Sequence, residues 1–380
     1  MTISNSPLSG GDDPRTQPGL GPQAFGVDGA WLDSAYYHPM SLGAVEAATG
    51  YLRSRMGAAA SPPRETRAMQ TRVRAKFAAL IGAQASEIAF TPSATVAENL
   101  VVAALRLAAG SRVVTDVLHY HGSLRLYEGL RARGVEVEVL AARGGRIDPG
   151  ELAAALVRRT DLVAVSAVSQ VNGFEHDLTG LCRLAHASGA WVYADIIQVA
   201  GAKPFDVRAS GVDFCGASSY KWLMGDQGLG FLYVRADRLE ALHQPQFGSR
   251  QADLRLNGDN PTAQRFEVGT INLATAAALD VSLSAILSLT PSVIAERRAP
   301  LLARLRDTLP GLGLDLLTPP GSNGPLVSFG SARAARLVEP LNAAGVFVSV
   351  HQDRIRVAPS VFNTHEDLDR LFAVVAHTLS

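Results

Sequence analysis

The chain has 380 residues, of which 47% are apolar and 18% are charged, a balance that predicts two globular domains or one large domain with an appendage. Its 35 acidic residues balance its 35 lysines and arginines, so no net basic field favours nucleic acid or anionic lipid. These numbers exclude a disordered or strongly basic binding protein and lead us to expect chemistry on a small molecule.

The N-terminal segment, residues 1–26, is rich in Gly, Pro, Ser and Asp and lacks the basic and apolar regions of a signal peptide. We interpret it as a flexible leader. No apolar run is long enough to span a bilayer, so we expect a cytoplasmic protein that does not bind membranes. Cys182 and Cys215 are the two cysteines of the chain, too few for a disulfide framework or a metal site, and both are expected to be buried.

Residues 27–255 are predicted to form a large domain in which apolar β-rich runs alternate with helical patterns. The predicted strands are 87–90, 112–115, 135–140, 162–168, 191–194, 212–216 and 230–234, and the predicted helices between them are 96–109, 123–133, 149–159 and 181–188. Several strands are continuous apolar runs, which is typical of strands covered by helices on both faces. The fold class is therefore α/β with a mostly parallel sheet, and ligands are expected at the carboxyl ends of strands, after Phe90, Ala194 and Gly216.

Residues 256–380 show a different pattern, with long helices followed by short strands. The helices are predicted at 274–287 and 293–308, the strands near 326–329, 346–350 and 354–357, and a last helix at 367–379. This order predicts a smaller α+β C-terminal domain that packs on the large one through its first helix.

Lysine is rare in this chain, with three lysines against 32 arginines (35 minus 3). Arginine cannot lose its proton and so cannot form a Schiff base, which leaves the lysines as the candidates for amine chemistry. Lys76 lies in an amphipathic helical stretch and Lys203 in a turn before a proline, so both are interpreted as surface residues. Lys221 follows an apolar strand that ends in small residues and stands between Tyr220 and Trp222, where partial desolvation favours a reactive amine.

Asp195 ends an apolar strand, 26 positions before Lys221 (221 minus 195). A buried carboxylate needs a cationic partner, and an Asp together with a Schiff-base Lys is the protein half of a pyridoxal phosphate site. The alternative is that Asp195 caps a helix that begins at Ile196.

A phosphate site is expected where residues 91–95 lead into a helix. Ser93, Ala94 and Thr95 offer backbone N–H groups and hydroxyls at the positive end of the helix dipole. Ordinary N-capping explains the same residues, and the two roles are compatible.

Three segments carry these residues: Ser-Ser-Tyr-Lys at 218–221 followed by Gly-Leu-Gly-Phe-Leu-Tyr-Val at 228–234, Tyr-Ala-Asp-Ile-Ile-Gln at 193–198, and Arg-Val-Ala-Pro-Ser-Val-Phe-Asn-Thr at 356–364. In combination, the sequence from 31 to 369 resembles the class V aminotransferase family of fold-type I pyridoxal phosphate enzymes. That family includes cysteine desulfurases, isopenicillin N epimerase-like proteins and carbon–sulfur lyases. The resemblance implies a fold-type I structure with a seven-stranded sheet, pyridoxal 5'-phosphate as cofactor and an amino acid as substrate.

The resemblance also implies roles for residues around Lys221. Lys221 would form the Schiff base, Asp195 would bind the pyridine nitrogen, and Gln198 would lie near the ring hydroxyl. Ser218 would bind the phosphate. Tyr220 stands where desulfurases usually have a phosphate-contacting His, and its hydroxyl is expected to reach the phosphate.

The segment His-Tyr-His at 119–121 matches the place where the family has an acid followed by a His or Tyr that stacks on the cofactor. By this register Tyr120 stacks on the cofactor, as a catalytic group, and His119 replaces the acid. A shift of one residue would make His121 the stacking group. Otherwise His121 is expected to contact the substrate.

The C-terminal half supplies two further residues by resemblance. Gly-Thr-Ile-Asn at 269–272 is similar to a motif whose Thr reaches the phosphate in the partner subunit, which implies a homodimer with shared active sites and Thr270 acting in trans. Arg356 would bind the substrate carboxylate, a role that suits a planar guanidinium.

The reaction is less determined by the sequence, because one carbanion at Cα leads to elimination, epimerisation or transamination. Desulfurases of the family need a mobile cysteine in the small domain, and neither Cys182 nor Cys215 lies there. We therefore rank β-elimination first, epimerisation second and transamination third. A regulatory protein that keeps the cofactor is disfavoured because Lys221, Asp195 and Arg356 are all present.

Overall fold

The computed structural model describes residues 20–56, 63–249 and 260–380. Most of the predicted leader, residues 1–19, lies outside this part of the chain. Its last residues are not a free leader: Leu20 and Phe25 are buried in the core, and the Phe25 ring packs against Phe362 with centroids 4.9 Å apart. The prediction for residues 20–26 is corrected because these apolar side chains are removed from water.

A seven-stranded sheet forms the centre of the large domain and confirms the predicted α/β class. Its strands are β2 (Ile88–Thr91), β3 (Arg112–Asp116), β4 (Glu136–Leu140), β5 (Leu162–Ser166), β6 (Trp191–Asp195), β7 (Phe214–Ser218) and β8 (Gly230–Val234). They lie in the order β2-β8-β7-β6-β5-β3-β4, and β8 is antiparallel to both neighbours while the other pairs are parallel. Each predicted strand is present, and the observed ends lie close to the predicted ones.

Helices surround this sheet, and several of them begin close to the carboxyl ends of its strands. They are α1 (Leu42–Ser54), α2 (Pro63–Leu80), α3 (Ala94–Ala104), α4 (His121–Arg131), α5 (Pro149–Ala155), α6 (Leu178–Ala187) and α7 (Val207–Ser210). The predicted helix 96–109 is shorter than expected, because the chain leaves the helix at Leu105 and Arg106 has a φ of 51°. The helix predicted at 149–159 likewise ends early, at Ala155.

The small domain contains a four-stranded antiparallel sheet in the order β12-β13-β10-β9. Its elements are α8 (Leu273–Leu289), α9 (Pro291–Thr308), β9 (Asp315–Leu316), β10 (Val327–Gly330), α10 (Val338–Ala343), β11 (Val346–Phe347), β12 (Ser349–Val350), β13 (Arg354–Val357) and α11 (His365–Leu379). The strand predicted at 346–350 is therefore two short strands. β11 pairs with β1 (Ala30–Trp31) near the N-terminus. Residues 30–31 thus pack with the small domain, although we predicted them in the large one.

Two packing features bear on the position of the site. Asp195 and Ser218 end adjacent parallel strands, and β13 of the small domain lies opposite these ends, with Arg356 facing the backbone of Gln170.

Among the described helices, none alone is long and apolar enough to cross a membrane, and α8 with the helical segment 291–312 reaches that length only as a pair bent by 78°.

Candidate active site

A cavity of about 720 Å³ lies between the carboxyl ends of the large sheet and strand β13. Eleven of the twelve residues predicted for the site line it: Ser93, Ala94, Thr95, Tyr120, His121, Asp195, Gln198, Ser218, Tyr220, Lys221 and Arg356. Thr270 is the exception, because it is exposed and lies outside this cavity. The tertiary structure therefore brings together residues that are up to 263 positions apart in the chain (356 minus 93).

Lys221 is the lysine that lies in the cavity, and its side chain is buried. Burial and the nearby Arg356 charge lower the pKa of Lys221 to about 8, although Asp195 and Asp33 oppose this shift. Its Nζ atom forms no hydrogen bond or ion pair with any residue that the structure describes. Lys76 and Lys203 are instead paired with Asp280 and Glu175. Lys221 is thus the lysine with an unengaged amine in a cavity.

Asp195 ends β6 with one oxygen engaged and one available. Its Oδ1 accepts the N–H of Ile197 at 2.9 Å, while Oδ2 takes no hydrogen bond from the described part of the chain. Burial raises the pKa of Asp195 to about 6. The carboxylate is still ionised at neutral pH and lacks a direct cationic partner, so the pyridinium nitrogen of a bound cofactor would compensate its charge.

The N-terminus of α3 has the composition of a phosphate site. Ser93 is the N-cap residue, and its Oγ accepts the N–H of Val96 at 3.3 Å. Ser218 Oγ accepts the N–H of Ala94 at 2.9 Å, so the end of β7 is joined to the start of α3. The N–H of Thr95 has no acceptor among the described residues, which leaves a donor at the positive end of the helix.

Glycine lets the backbone approach this N-terminus closely. A Cβ atom at Gly230 would lie 3.1 Å from Cα of Ser93 and 2.6 Å from the carbonyl oxygen of Ala217. A side chain at position 230 would not fit between β8 and the start of α3.

Gln198 and Tyr220 both line the wall of the cavity. The Gln198 amide donates to the carbonyl of Ala35 at 3.0 Å and accepts from Nε1 of Trp222 at 2.7 Å, so its orientation is held by protein groups. Burial raises the pKa of Tyr220 to about 12, and its ring stacks on Tyr37 with centroids 6.0 Å apart. Tyr220 is therefore a neutral phenol that can donate a hydrogen bond.

Tyr120 and His121 both reach the cavity, with ring centroids 4.4 Å apart. The Tyr120 ring folds over Gly122, where any Cβ atom would collide with it. His121 Nδ1 instead lies 3.1 Å from the Gln170 amide nitrogen and is more exposed. The glycine leaves room for the Tyr120 ring, and stacking of Tyr120 on the cofactor stays a prediction.

A buried polar network lies beneath this segment, and its central residue, Glu98, was not among the predicted site residues. Glu98 on α3 accepts hydrogen bonds from Ser123 and from Tyr127, the latter at 2.6 Å, and its Oε1 lies 3.1 Å from Nε2 of His119. His119 Nδ1 lies 2.8 Å from Ser166 Oγ. A signal was available in the sequence: Glu98 stands four residues after Ala94 and three before Val101, within the apolar stripe of a helix.

Arg356 is held in place by three groups and keeps one donor unpaired. Its Nη2 donates to Asp33 at 3.1 Å and to Ser349 at 2.8 Å, and its Nη1 donates to the carbonyl of Gln170 at 3.2 Å. Its Nε is buried without a partner. Burial raises the pKa of Asp33, although Arg356 and Ser349 oppose the shift. An unpaired N–H on a fixed guanidinium suits a carboxylate ligand, and Asp33 was not foreseen as its holder.

The donor set fits pyridoxal 5'-phosphate. Lys221 has the unengaged amine that would bind the aldehyde, Asp195 Oδ2 is the available acceptor for the ring nitrogen, and the start of α3 has a free N–H for the phosphate. Tyr120 flanks the space between them. No residue in this set conflicts with the group.

Comparisons with known proteins show the family to which the chain belongs. The family model described as Aminotransferase class-V matches residues 42–371. A probable cysteine desulfurase from Methanothermobacter thermautotrophicus is 35% identical over 258 residues, which span 65% of this chain and 64% of that protein. Cysteine desulfurase IscS from Anaeromyxobacter sp. (strain Fw109-5) is 30% identical over 335 residues, 80% of this chain and 79% of that protein.

A solved structure has the same fold at lower sequence identity. It is the complex between the cystine C-S lyase C-DES and its reaction product cysteine persulfide, with a TM-score of 0.83 and 20% identity. The superposition covers 93% of this chain and 99% of that one.

Proposed function

Because the chain belongs to the class V aminotransferase family of pyridoxal 5'-phosphate enzymes, we propose that it is a lyase that eliminates a sulfur leaving group from Cβ of an amino acid. The observation that carries this proposal is the content of the cavity. It holds an unengaged lysine and a fixed arginine, and no cysteine is among its lining residues. Such a site can activate Cα, but it offers no thiol to accept sulfur.

The two cysteines are the reason for preferring elimination to sulfur transfer through the protein. Cys182 is on α6 and Cys215 is within β7, and both are buried. Burial raises the pKa of Cys182 to about 12 and that of Cys215 also rises, so neither forms a thiolate at neutral pH. Relatives of this chain are named cysteine desulfurases, but this chain has no reactive thiol at the cavity for a persulfide.

The residues have separate tasks in the proposed reaction. When bound, pyridoxal phosphate withdraws electron density from the bonds at Cα of an amino acid. Arg356, whose Nη atoms are held by Asp33, Ser349 and Gln170, would bind the α-carboxylate through its unpaired Nε, and Asp195 would hold the positive charge of the ring nitrogen. Lys221, with its pKa near 8, can take the Cα proton and give it back close to neutral pH.

The elimination balances without an added acceptor. The Cα–H bond breaks with its proton passing to Lys221, its electron pair forms the Cα=Cβ double bond, and the Cβ–S bond breaks with its own electron pair leaving on sulfur as a thiolate. The released 2-aminoacrylate takes up water and yields pyruvate and ammonia. No oxidant, reductant or keto acid is required.

Pyruvate release tests this proposal. The purified holoenzyme is incubated with cysteine conjugates and with β-chloroalanine, and pyruvate and ammonia are measured without any keto acid. Equal amounts of both products are expected, and the double variant Cys182→Ser with Cys215→Ser should retain this activity. Solvent deuterium at Cα of an otherwise intact amino acid would select epimerisation. Dependence on a keto acid would select transamination, and loss of activity in the folded cysteine variant would favour a desulfurase.

We also propose that the chain acts as a homodimer with shared active sites. Leu42, Val45, Leu52 and Met56 are exposed apolar residues at spacings of three, seven and four along α1 and the turn after it. These spacings place the four side chains in one stripe along the helix, which suits a helix that packs against a partner. Thr270 is exposed and outside its own cavity, as a residue that acts in the partner's site would be.

Sedimentation and subunit mixing test the homodimer. Leu52→Glu should weaken association, whereas Val157→Glu, which changes an exposed apolar residue in the turn after α5, should not. Mixing Lys221→Ala subunits with Thr270→Ala subunits should restore activity, because a mixed dimer has one site with both residues intact. A fully active monomer would contradict the proposal.

A further inference from the structure

A second arginine shares the face of β13 that carries Arg356. Side chains two residues apart on a strand point to the same side, and Arg354 and Arg356 both line the cavity while Ile355 between them is buried in the small-domain core. The Cα atoms of two such residues lie roughly 7 Å apart along a strand. The cavity therefore has two guanidinium groups along one wall, and the reaction proposed above uses one of them.

The two arginines differ in their partners. Arg356 is buried and paired with Asp33 and Ser349. Arg354 has 27% of its side chain exposed, and its ion pair within the described residues is with the adjacent Asp353, at 3.4 Å. Asp353 is itself 76% exposed, and an ion pair of that kind contributes little because water screens both charges. Arg354 thus keeps most of its donors available at the cavity wall.

The residues of the β12–β13 hairpin that line the cavity beside Arg354 carry no negative charge. His351, in the turn before β13, also lines the cavity, and burial together with Arg354 and Arg356 lowers its pKa. It is therefore a neutral imidazole at pH 7. The other cavity residues of this hairpin, Ser349 and Val350, carry no charge. Among the described residues that line the cavity, the acidic one is Asp195, which ends β6 on the side opposite β13, so the mouth beside β13 carries the positive charge of Arg354.

We propose that Arg354 binds an anionic group at the far end of the substrate, so that the preferred substrates are α-amino acids whose β-substituent carries a carboxylate. Arg356 holds the α-carboxylate and Arg354 the distal one. The spacing suits a sulfur-linked substituent with one carbon between sulfur and carboxylate. This inference rests on the proposed elimination and adds its substrate class.

Two isosteric substrates test the subsite: S-carboxymethyl-L-cysteine and its uncharged amide, S-carbamoylmethyl-L-cysteine. The wild-type holoenzyme should have the higher kcat/KM for the carboxylate. Arg354→Gln should lower that value roughly 10- to 100-fold, the effect of losing one charge-assisted interaction, and should change the value for the amide by less than about twofold. Arg336→Gln, at an exposed arginine of the small domain outside the cavity, should change neither.

Spectral titration of the bound cofactor separates this inference from the proposed function. If no compound yields pyruvate, β-chloroalanine included, the proposed elimination is wrong. The subsite would still be supported if the wild type bound the carboxylate compound more tightly than the amide and Arg354→Gln abolished this difference. Equal binding of the two compounds by the wild type would overturn the subsite, as would an equal loss for both in Arg354→Gln.

Discussion

Oε1 of Glu98 lies 3.1 Å from Nε2 of His119 in the interior beneath the cavity. Glu98 belongs to α3, whose N-terminus lines the cavity, and His119 precedes Tyr120, which lies in the cavity wall. The family resemblance implied that His119 replaces an acid, and in this chain the carboxylate of Glu98 on the neighbouring helix lies against His119. The pair thus connects two parts of the site through one ionic contact.

Glu98→Gln should reduce stability within a limited pH range. Burial disfavours the charged form of both residues, but each charge stabilises the other and outweighs this effect. The pKa of Glu98 is therefore lowered from 4.5, and the pKa of His119 is raised from 6.5. The contribution of Glu98 is present above pH 4.5 and is lost as the pH falls. That of His119 is present below pH 6.5 and is lost as the pH rises through its higher folded pKa.

The free energy of unfolding of apo-protein, measured by urea denaturation from pH 4 to 9, checks this prediction. We expect Glu98→Gln to lower it by roughly 3 kcal/mol between pH 4.5 and 6.5, with a smaller difference on either side. Glu128→Gln is a matched control, since Glu128 pairs with Arg125 on the surface. A difference that does not vary with pH would show that the two residues do not form an ion pair.

Attachment of the cofactor should depend on the neutral amine of Lys221. Because its pKa is about 8, the rate at which pyridoxal phosphate binds covalently to apo-protein should rise with pH and level off above that value. Stopped-flow absorbance measures the rate, and borohydride reduction followed by peptide mapping identifies the lysine. Lys76→Ala and Lys203→Ala should behave as wild type. Label on either of those lysines would refute the assignment.

Asp195→Asn should retain most of the cofactor and lose most of the activity. The amide keeps the shape of the side chain but cannot compensate a positive ring nitrogen, so we expect kcat to fall roughly 100- to 1000-fold. Cofactor content is measured by absorbance after gel filtration, and kcat by product release. Normal turnover in this variant would mean that another group holds the charge.

Arg356→Lys should discriminate between ligands with and without an α-carboxylate. Lysine keeps the charge but loses the fork and the unpaired Nε, so we expect dissociation constants of amino acids to rise roughly 10- to 100-fold. Amines that lack the carboxylate should bind with unchanged affinity. Spectral titration with alanine and with ethylamine makes the comparison, and equal effects on both would mean that Arg356 only supports the fold.

The sequence by itself determined the α/β class and placed the parallel strands to within about two residues of their observed ends. Asp195 and Lys221 could be placed at one site because the carboxyl ends of parallel strands meet at one edge of a sheet, whereas Ser218 was assigned by the family resemblance. The local pattern carries this information, since apolar runs mark the strands and small polar residues mark their ends. The shorter helices and the split of the 346–350 strand were less predictable, because helix and strand ends depend on capping and pairing partners.

Only the tertiary structure decided which side chains are desolvated and which charges meet. Asp33 contacts Arg356 across 323 positions of sequence, and Glu98 contacts His119 from a different helix. Neither pairing follows from local periodicity, since it depends on how the N-terminal segment and α3 pack. The same packing leaves Arg354 with one weakly held surface partner and excludes Thr270 from its own cavity. Burial and proximity set the pKa values of Lys221 and Asp195, and both are properties of the folded chain.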